Sequence, residues 1–239
     1  MKTRRAAFGL ALALILTTAA LAGGKARTVF FRDDFTDLSG WRPLTFPKIG
    51  KHTVYSIEQE GSESYLKAES SASASGLVLA KDFPVHEFPR ARWRWKVSTV
   101  FMQADPHAKS GDDYPIRVYV LFRYNPAQAT VGQRIRYGLA KAFYGEYPPH
   151  SSLSYVWAGK ASVTGPYPNP YAAEAMMVPL EAGDEKAGQW VDEEVDIRAD
   201  YRRAFGHDPP PSAGLAVMSD SDNTGGSATA WLDFIEVFR

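Results

Sequence analysis

The chain has 239 residues, of which 45% are hydrophobic, 13% aromatic and 23% charged, with 27 basic and 27 acidic side chains. These values are typical of a globular protein, and they exclude a disordered chain, a collagen-like repeat and a polytopic membrane protein. The absence of cysteine excludes a disulfide scaffold, thiol catalysis, cysteine-ligated zinc and iron–sulfur clusters. Any site chemistry must therefore come from oxygen and nitrogen groups.

Residues 1–22 have the pattern of a cleaved export signal. Three basic residues precede the apolar run Ala6–Leu16, and the small-residue exit Ala20-Leu21-Ala22 follows it. The run is shorter than the roughly 20 apolar residues that span a bilayer, and the sequence has no cysteine for a lipoprotein anchor. We therefore expect a periplasmic or secreted protein, not a lipoprotein, with no stable membrane anchor after cleavage.

Residues 23–239 are expected to form a single β-sandwich domain. A chain of this length buries on the order of 70% of its unfolded surface and needs no covalent cross-links. Without residues 1–22 the chain has 24 basic and 27 acidic side chains. This balance disfavours nucleic acid and anionic membrane surfaces as partners.

Alternation of apolar and polar residues dominates residues 28–239 and predicts strands. In the clearest segment, Arg90–Val97, Trp93 and Trp95 share one face and basic side chains share the other. Eleven such segments with turns between them predict an all-β fold, an antiparallel jelly-roll-like sandwich. The predicted strands are Thr28–Phe35, Thr53–Gln59, Tyr65–Ala68, Leu77–Ala80, Arg90–Val97, Ile116–Arg123, Leu153–Ala158, Ala175–Leu180, Trp190–Ile197, Gly214–Ser219 and Thr229–Phe238.

One or two short helices are predicted to interrupt the strands. Gln133–Tyr144 places apolar residues on one helical stripe before a proline pair, and Ala199–Phe205 precedes Gly206. Neither helix belongs to a βαβ series, and the sequence has no glycine-rich phosphate loop. A Rossmann enzyme or a TIM barrel is therefore disfavoured.

The two ends of the chain carry acidic residues within predicted strands. Asp33-Asp34-Phe35 in the first and Trp231–Val237 in the last resemble the terminal strands of carbohydrate-binding jelly rolls. That resemblance implies neighbouring strands and a structural calcium bound by Asp33, Asp34 or Asp233, because calcium prefers hard oxygen ligands. Alternatively, Asp33 and Asp34 end a strand and start a turn. No other cofactor is predicted.

Several longer motifs follow the pattern of one family. They are Trp93–Val97, Ala104-Asp105 through Lys109–Asp113 to Arg117–Val120, Tyr144–Pro149, Tyr155–Trp157 and Val217–Gly225. Together they resemble a bacterial exported family known as domain of unknown function 3047. The resemblance implies export and one domain, but it implies no activity, cofactor or catalytic residue. One departure is Ser219, where the family pattern leads us to expect threonine.

The segment Asp220–Gly225 is the first candidate site. It offers oxygen ligands at alternate positions and glycine at the sixth, as an EF-hand calcium loop does. The twelfth position is Trp231 instead of glutamate, and a strand follows, which excludes an EF-hand. A looser calcium or sugar-hydroxyl site and a turn whose side chains cap their own backbone both remain open. The candidate ligand-binding residues are Asp220, Asp222, Asn223 and Thr224.

Residues 105–113 form the second candidate, a charged loop between two predicted strands. Adjacent carboxylates in an extended chain point to opposite sides, so Asp112 and Asp113 alone do not form the acid–base pair of a glycoside hydrolase. Such a pair needs a partner from residues 220–225, at the same end of the sandwich. The alternative is a solvated turn. The candidate ligand-binding residues are Asp105, Lys109, Asp112 and Asp113.

Basic side chains predict a third candidate, a cationic sheet face. If Arg94 and Lys96 lie on a strand beside Arg117 and Tyr119, their face could bind an acidic sugar, with Tyr119 as the proton donor or acceptor of a β-elimination. The alternative is a solvated face with cross-strand ion pairs. Aromatic residues allow two interpretations as well, stacking on sugar rings or core packing. They are Tyr155, Trp157, Tyr167, Tyr171 and Trp231, of which the proline-flanked Tyr167 and Tyr171 are expected to be exposed.

Three functions remain open. The first is an exported, non-catalytic module that binds a glycan or another envelope component, with calcium as an expected aid. The second is a polysaccharide-active enzyme, either a hydrolase with paired carboxylates or a lyase using Arg117, Lys96 and Tyr119. The third is a structural or assembly protein of the envelope with a flat apolar patch. We rank the binding module first because no recognisable catalytic set is present. A binding site of this kind requires residues 105–113 and 220–225 to converge at one end of the sandwich.

Overall fold

The computed structural model describes residues 27–127, Gly132 and residues 149–239. These residues contain fourteen strands, one α-helix and the 3-10 turn Lys109–Gly111. The strands are β1 (Val29–Asp33), β2 (Trp41–Leu44), β3 (Val54–Glu60), β4 (Glu63–Ser71), β5 (Ala74–Leu79), β6 (Phe83–Pro84), β7 (Arg90–Val97), β8 (Arg117–Phe122), β9 (Ser151–Ala158), β10 (Tyr167–Asn169), β11 (Ala172–Ala182), β12 (Val191–Asp196), β13 (Ser212–Asp220) and β14 (Ser227–Phe238). The helix is α1 (Ile197–Phe205).

The strands form two sheets that pack as a sandwich. The six-stranded sheet has the order β12-β7-β14-β4-β3, with β1 paired to β14. The eight-stranded sheet has the order β10-β11-β9-β8-β13-β5-β2, with β6 paired to β13. The predicted all-β, jelly-roll-like sandwich is confirmed, but the sheets are not wholly antiparallel. Strands β9 and β11 are parallel, because the long connection at residues 159–171 returns the chain to the end where β9 began.

Large aromatic side chains join the two sheets. Trp93 and Trp95 on β7 are fully buried, with ring centroids 5.6 Å apart in an edge arrangement. Across the sandwich, Trp93 lies 5.4 Å from Tyr155, and Trp95 lies 5.9 Å from Trp157. Each buried aromatic side chain removes a large apolar area from water. Tyr155 and Trp157 are therefore core residues and are not available for stacking on sugars.

The predicted helix at Ala199–Phe205 is confirmed as α1, which begins two residues earlier. The Asp196 carboxylate caps its first turn by accepting from the Ala199 N–H at 2.9 Å. Gly206, with a φ of 78°, ends it in the left-handed conformation. The predicted helix Gln133–Tyr144 lies outside the described residues. Within the described ranges, no helix is long and apolar enough to cross a membrane.

The proline-flanked tyrosines have different environments. Strand β10 lies at the edge of its sheet, as its proline requires. Tyr167 is nevertheless buried, and its hydroxyl lies 2.7 Å from the hydroxyl of Tyr114. Exposure of Tyr167 was therefore a wrong prediction, because its alternating position on β10 points it inward. Tyr171, beyond the strand, is 56% exposed.

A carboxylate occupies a partly buried position on edge strand β12. The indole N–H of Trp95 donates to Glu193 Oε1 at 3.2 Å. Burial, reinforced by the negative charge of Glu181, raises the pKa of Glu193 to about 7 from an ordinary value of 4.5. The folded protein therefore binds more protons than the unfolded chain between these two pH values.

We predict that the free energy of unfolding falls as pH rises from about 4.5 through 7, because deprotonated Glu193 is disfavoured only in the folded state. The change Glu193→Gln should reduce this fall, measured as the melting temperature from pH 5 to pH 8 at constant ionic strength. Glu60→Gln, at an exposed carboxylate on β3 of the same sheet, should keep the wild-type slope. Equal slopes in Glu193→Gln and the wild type would contradict the assignment.

Candidate functional site

The two acidic loops meet at one end of the sandwich. We call residues 105–113 and 220–225 together the acidic rim. The Asp113 carboxylate accepts from the Thr224 N–H at 2.6 Å and from the backbone and side-chain N–H groups of Asn223 at 3.3 and 3.1 Å. The loops converge because β8 and β13 are neighbours in register, with Arg117 opposite Met218.

A buried arginine ties the rim to the eight-stranded sheet. Arg117 Nε donates to Asp220 Oδ1 at 2.9 Å, and Arg117 Nη2 also contacts Asp220 Oδ2. Arg117 Nη1 donates to Asp112 Oδ1 at 3.3 Å, and the guanidinium lies 4.4 Å from the ring centroid of Tyr114. The Arg117 side chain is only 2% exposed. One guanidinium thus holds a residue of each acidic loop.

Burial and charge oppose each other in this pair. Burial raises the pKa of Asp220 to about 8, while the charge of Arg117 acts to lower it. Burial acts to lower the pKa of Arg117, but the charges of Asp220, Asp112 and the neighbouring tyrosines together outweigh it and the pKa is raised. Both Asp220 oxygens contact Arg117, which is the geometry of a bidentate ion pair. Removal of either partner would leave an unpaired buried group.

The turn between β10 and β11 adds an amide and an aromatic ring to the rim. Asn169 Nδ2 donates to Asp112 Oδ2 at 2.9 Å. The Tyr171 hydroxyl lies 3.1 Å from the carbonyl oxygen of Lys109 and 3.0 Å from Asn223 Oδ1. Its exposed ring lies 5.1 Å from Lys109 Nζ. The ring of Tyr171 is therefore held against both acidic loops while its surface stays open to solvent.

Three rim carboxylates lie close together, with one oxygen each of Asp113, Asp220 and Asp222 within 4.8 Å of one another. Asp113 and Asp220 already accept three N–H hydrogen bonds each. Calcium takes six to eight oxygen ligands, so this group suits a hydrogen-bonding ligand better than a calcium ion. Burial and the charge of Asp113 raise the pKa of Asp222. Within residues 27–127 and 149–239, no other side chain donates to the Asp222 carboxylate.

Tyr119 and Ser154 extend the polar site onto the outer face of the eight-stranded sheet. They lie opposite each other in β8 and β9. The Tyr119 hydroxyl is 3.4 Å from Arg117 Nη1, and burial raises its pKa. Ser154 is fully buried, and its side chain lies within reach of the Tyr119 hydroxyl. Ser154 and Asn169 were not identified as site residues from the sequence, because their positions depend on long-range strand pairing.

Arg94 and Lys96 lie away from this site. Strand β7 belongs to the six-stranded sheet and β8 to the eight-stranded sheet, so the predicted joint face with Arg117 and Tyr119 is wrong. Alternation shows which residues share a face, but it does not show which sheet a strand joins. Arg94 Nη1 contacts Asp233 at 3.3 Å. Lys96 Nζ lies 4.4 Å from the ring centroid of Trp231.

The remaining predicted residues have local partners. Asp105 Oδ1 accepts from the His107 N–H at 3.0 Å within its own loop. Asp33 accepts from the Phe35 N–H and from Trp41 Nε1, each at 2.8 Å, and Asp34 pairs with Arg32. Strands β1 and β14 are neighbours, as expected. The described residues do not gather Asp33, Asp34 and Asp233 into one three-carboxylate group, and calcium at these residues stays a prediction.

The comparisons with known proteins agree with the sequence motifs. The model of a family described as "Protein of unknown function (DUF3047)" matches residues 39–236, which confirms the resemblance. No curated protein gives a significant match.

Solved structures with related folds are remote. The "Cellulose induced protein, Cip1" is 12% identical at a TM-score of 0.43, over 87% of this chain and 96% of its own. A Cel12A cellulase variant derived from Rhodothermus marinus is 13% identical at 0.41, over 79% and 88%. A family 30 carbohydrate-binding module from a Clostridium thermocellum cellulase is 8% identical at 0.37, over 89% and 92%. These likenesses carry no argument about function.

We predict that Arg117→Met lowers the free energy of unfolding by about 3 kcal/mol or more, because it leaves Asp112 and Asp220 buried without their cation. Urea unfolding followed by tryptophan fluorescence measures the loss. Arg123→Met is the matched control, since Arg123 follows the same strand but pairs with Asp82 at the surface. The control should lose about 1 kcal/mol or less. Similar losses in the two variants would show that Arg117 does not have this structural role.

Proposed function

The chain belongs to the DUF3047 family, and we propose that it is an exported, non-catalytic module that binds a glycan at the acidic rim around Tyr171. The observation that supports this most is the fixed but exposed ring of Tyr171. Its hydroxyl is within hydrogen-bonding distance of the Lys109 carbonyl oxygen and of Asn223 Oδ1, and the residue is 56% exposed. A rigid aromatic surface provides contact area at low entropic cost. Sugar rings offer the matching apolar face, with hydroxyl groups at the edge.

Polar groups at the ring's edge complete the proposed site. Asn223 contacts the Tyr171 hydroxyl at 3.0 Å, and Asp222 and Thr224 flank Asn223 in the same loop. Asp222 is partly exposed and accepts no hydrogen bond from another described side chain, so its oxygens are available to ligand hydroxyl groups. The Arg117 network behind them is buried and fully hydrogen-bonded. A rim held in place before binding loses little entropy when it binds.

The contacts in the rim favour binding over catalysis. Asp112, Asp113 and Asp220 all accept N–H hydrogen bonds from neighbouring residues, whereas a glycoside hydrolase needs a free carboxyl pair that exchanges protons. A lyase needs a tyrosine that ionises readily, and burial raises the pKa of Tyr119. The lyase set with Lys96 is also separated between two sheets.

Assembly through a flat apolar patch has less support. The exposed large hydrophobic residues of the described chain lie on separate elements and form no shared strand face. They are Val29, Val54, Met102 and Tyr171. A docking patch would group such residues over several hundred square ångströms. An envelope glycan, met in the periplasm or outside the cell, is therefore the partner that we propose.

A glycan array probed with the purified chain tests the proposal. Tyr171→Ala should weaken binding to any glycan that the wild type retains by about ten-fold or more, because the stacking surface is lost. Tyr171→Phe, which keeps the ring, should lose less. Met102→Ala is the matched control at an exposed apolar residue outside the rim, and it should bind like the wild type. Undiminished binding by Tyr171→Ala, or no glycan bound by the wild type, would refute the proposal.

Asp222→Ala separates direct contact from calcium assistance. We predict weaker glycan binding by this variant, and the same array run with a chelator shows the reason. Loss of wild-type binding on chelation would assign Asp222 to a calcium-assisted site. Unchanged wild-type binding with loss in Asp222→Ala would assign it to ligand hydroxyl groups. Release of unsaturated or reducing sugar ends in either sample would contradict the non-catalytic assignment.

A further inference from the structure

A second polar concavity lies on the outer face of the six-stranded sheet. It is a groove of about 530 Å³, and we call it the hydroxyl groove. That volume is in the range of small-ligand sites. The groove shares no residue with the acidic rim. Among its lining residues are Lys51, His52, Ser71, Ser98, Ser227 and Thr229.

The groove runs across four neighbouring strands. Val54, Glu69 and Thr229 lie side by side on β3, β4 and β14 in the pairing register. On the β7 side, the Ser98 hydroxyl accepts from the Thr229 N–H at 2.9 Å. Three strand spacings of about 4.8 Å give the groove a width of roughly 14 Å across the sheet. A short oligosaccharide that lies across the strands fits within this width.

Hydroxyl groups and one apolar side chain form the lining. Ser71 and Ser227 lie opposite each other, with hydroxyl oxygens 3.1 Å apart. A hydroxyl group has one donor and two acceptor positions, so this pair keeps capacity for a ligand. Val54, which is 59% exposed, adds an apolar surface beside them. Hydroxyl groups next to an apolar surface match the alternating character of a sugar.

Positive charge at the groove is not neutralised within the described protein. Lys51 lines the groove, and in the described part of the chain no carboxylate lies within ion-pair distance of its ammonium group. Glu69, by contrast, is already paired with Lys67 at 3.3 Å. Lys67 is shared with Glu58, also at 3.3 Å, so β3 and β4 keep one unmatched carboxylate charge beside the groove. Lys51 is therefore the lining cation that a ligand carboxylate can reach without displacing a described partner.

A second lysine lies just beyond the β7 side. Lys96 precedes Ser98 by two residues and so lies on the same face of the sheet. Its Nζ lies 4.4 and 4.7 Å from the ring centroids of Trp231 and Trp190. These rings stabilise the cation without neutralising it, and no described carboxylate pairs with it. We propose that the hydroxyl groove binds an acidic oligosaccharide, whose carboxylates pair with Lys51 and Lys96.

This assignment does not depend on the acidic rim, and isothermal titration with defined probes tests it. Trigalacturonate is the acidic probe and cellotriose the neutral one. The wild type should bind trigalacturonate more tightly, and raising NaCl from 50 to 500 mM should weaken that binding as the charges are screened. Failure of trigalacturonate to bind at millimolar concentration, or equal binding of both probes, would overturn the proposal.

Variants locate the binding site. Ser227→Trp, which fills the groove, should weaken trigalacturonate binding by about ten-fold, and Lys51→Gln by about five-fold. Lys81→Gln, at an exposed lysine over the ring of Phe30, is the charge-matched control and should bind like the wild type. Thermal unfolding checks that Ser227→Trp is folded, and Lys51→Gln decides the question if it is not. Unchanged binding by Lys51→Gln would overturn the assignment.

The rim variant keeps the two proposals distinguishable. Tyr171→Ala should bind trigalacturonate like the wild type, because the rim and the groove share no residue. If Tyr171→Ala loses trigalacturonate while Ser227→Trp keeps it, the acidic ligand belongs to the rim and the groove proposal fails. If array glycans are unaffected by Tyr171→Ala but the groove variants lose trigalacturonate, only the rim proposal fails.

Discussion

The arrangement of the acidic rim depends on one buried cation, the guanidinium of Arg117. Moving charged groups out of water costs several kcal/mol per ion, and only close, well-directed contacts offset this cost. Arg117 meets the condition through Asp220 at the end of β13 and Asp112 in the loop before β8. If either loop moved away, Arg117 would lose a carboxylate partner while it remained buried. The contacts of Asp113 with Asn223 and Thr224 are formed between loops that are already held.

This constraint also divides the rim residues by role. The hydrogen bonds that fix Asp112, Asp113 and Asp220 occupy the oxygens that a catalytic acid or base would use. Tyr171 and Asp222 are attached to the same framework but keep exposed surface. Rigid support behind a small exposed set is an arrangement suited to recognition, because binding then requires little reorganisation. A cluster of acidic residues whose oxygens are already hydrogen-bonded in this way is therefore not, in itself, a sign of hydrolysis.

The sequence predicted elements well where alternation was long and chemically strong. β7 was predicted with its observed bounds because tryptophan and basic side chains alternate along it. The short strands Trp41–Leu44 and Phe83–Pro84 were missed because they have few residues and contain proline. The binding hypothesis required residues 105–113 and 220–225 to meet, and they do, but the sequence could not establish this, nor the sheet to which Arg94 and Lys96 belong. Sheet membership depends on pairings between distant segments, which local periodicity does not encode.

Basic residues on the outer face of the six-stranded sheet differ in how their charge is balanced. Arg92 donates to Glu236 at 2.9 Å, and Arg32 contacts the same carboxylate at 3.3 Å. Their charge is matched within the protein, so a ligand carboxylate would have to compete with Glu236. Lys96 lies against the rings of two tryptophans, which attract the cation but leave its charge unmatched. The source of the counter-charge, more than the number of basic residues, therefore determines where on this face an acidic ligand is stabilised.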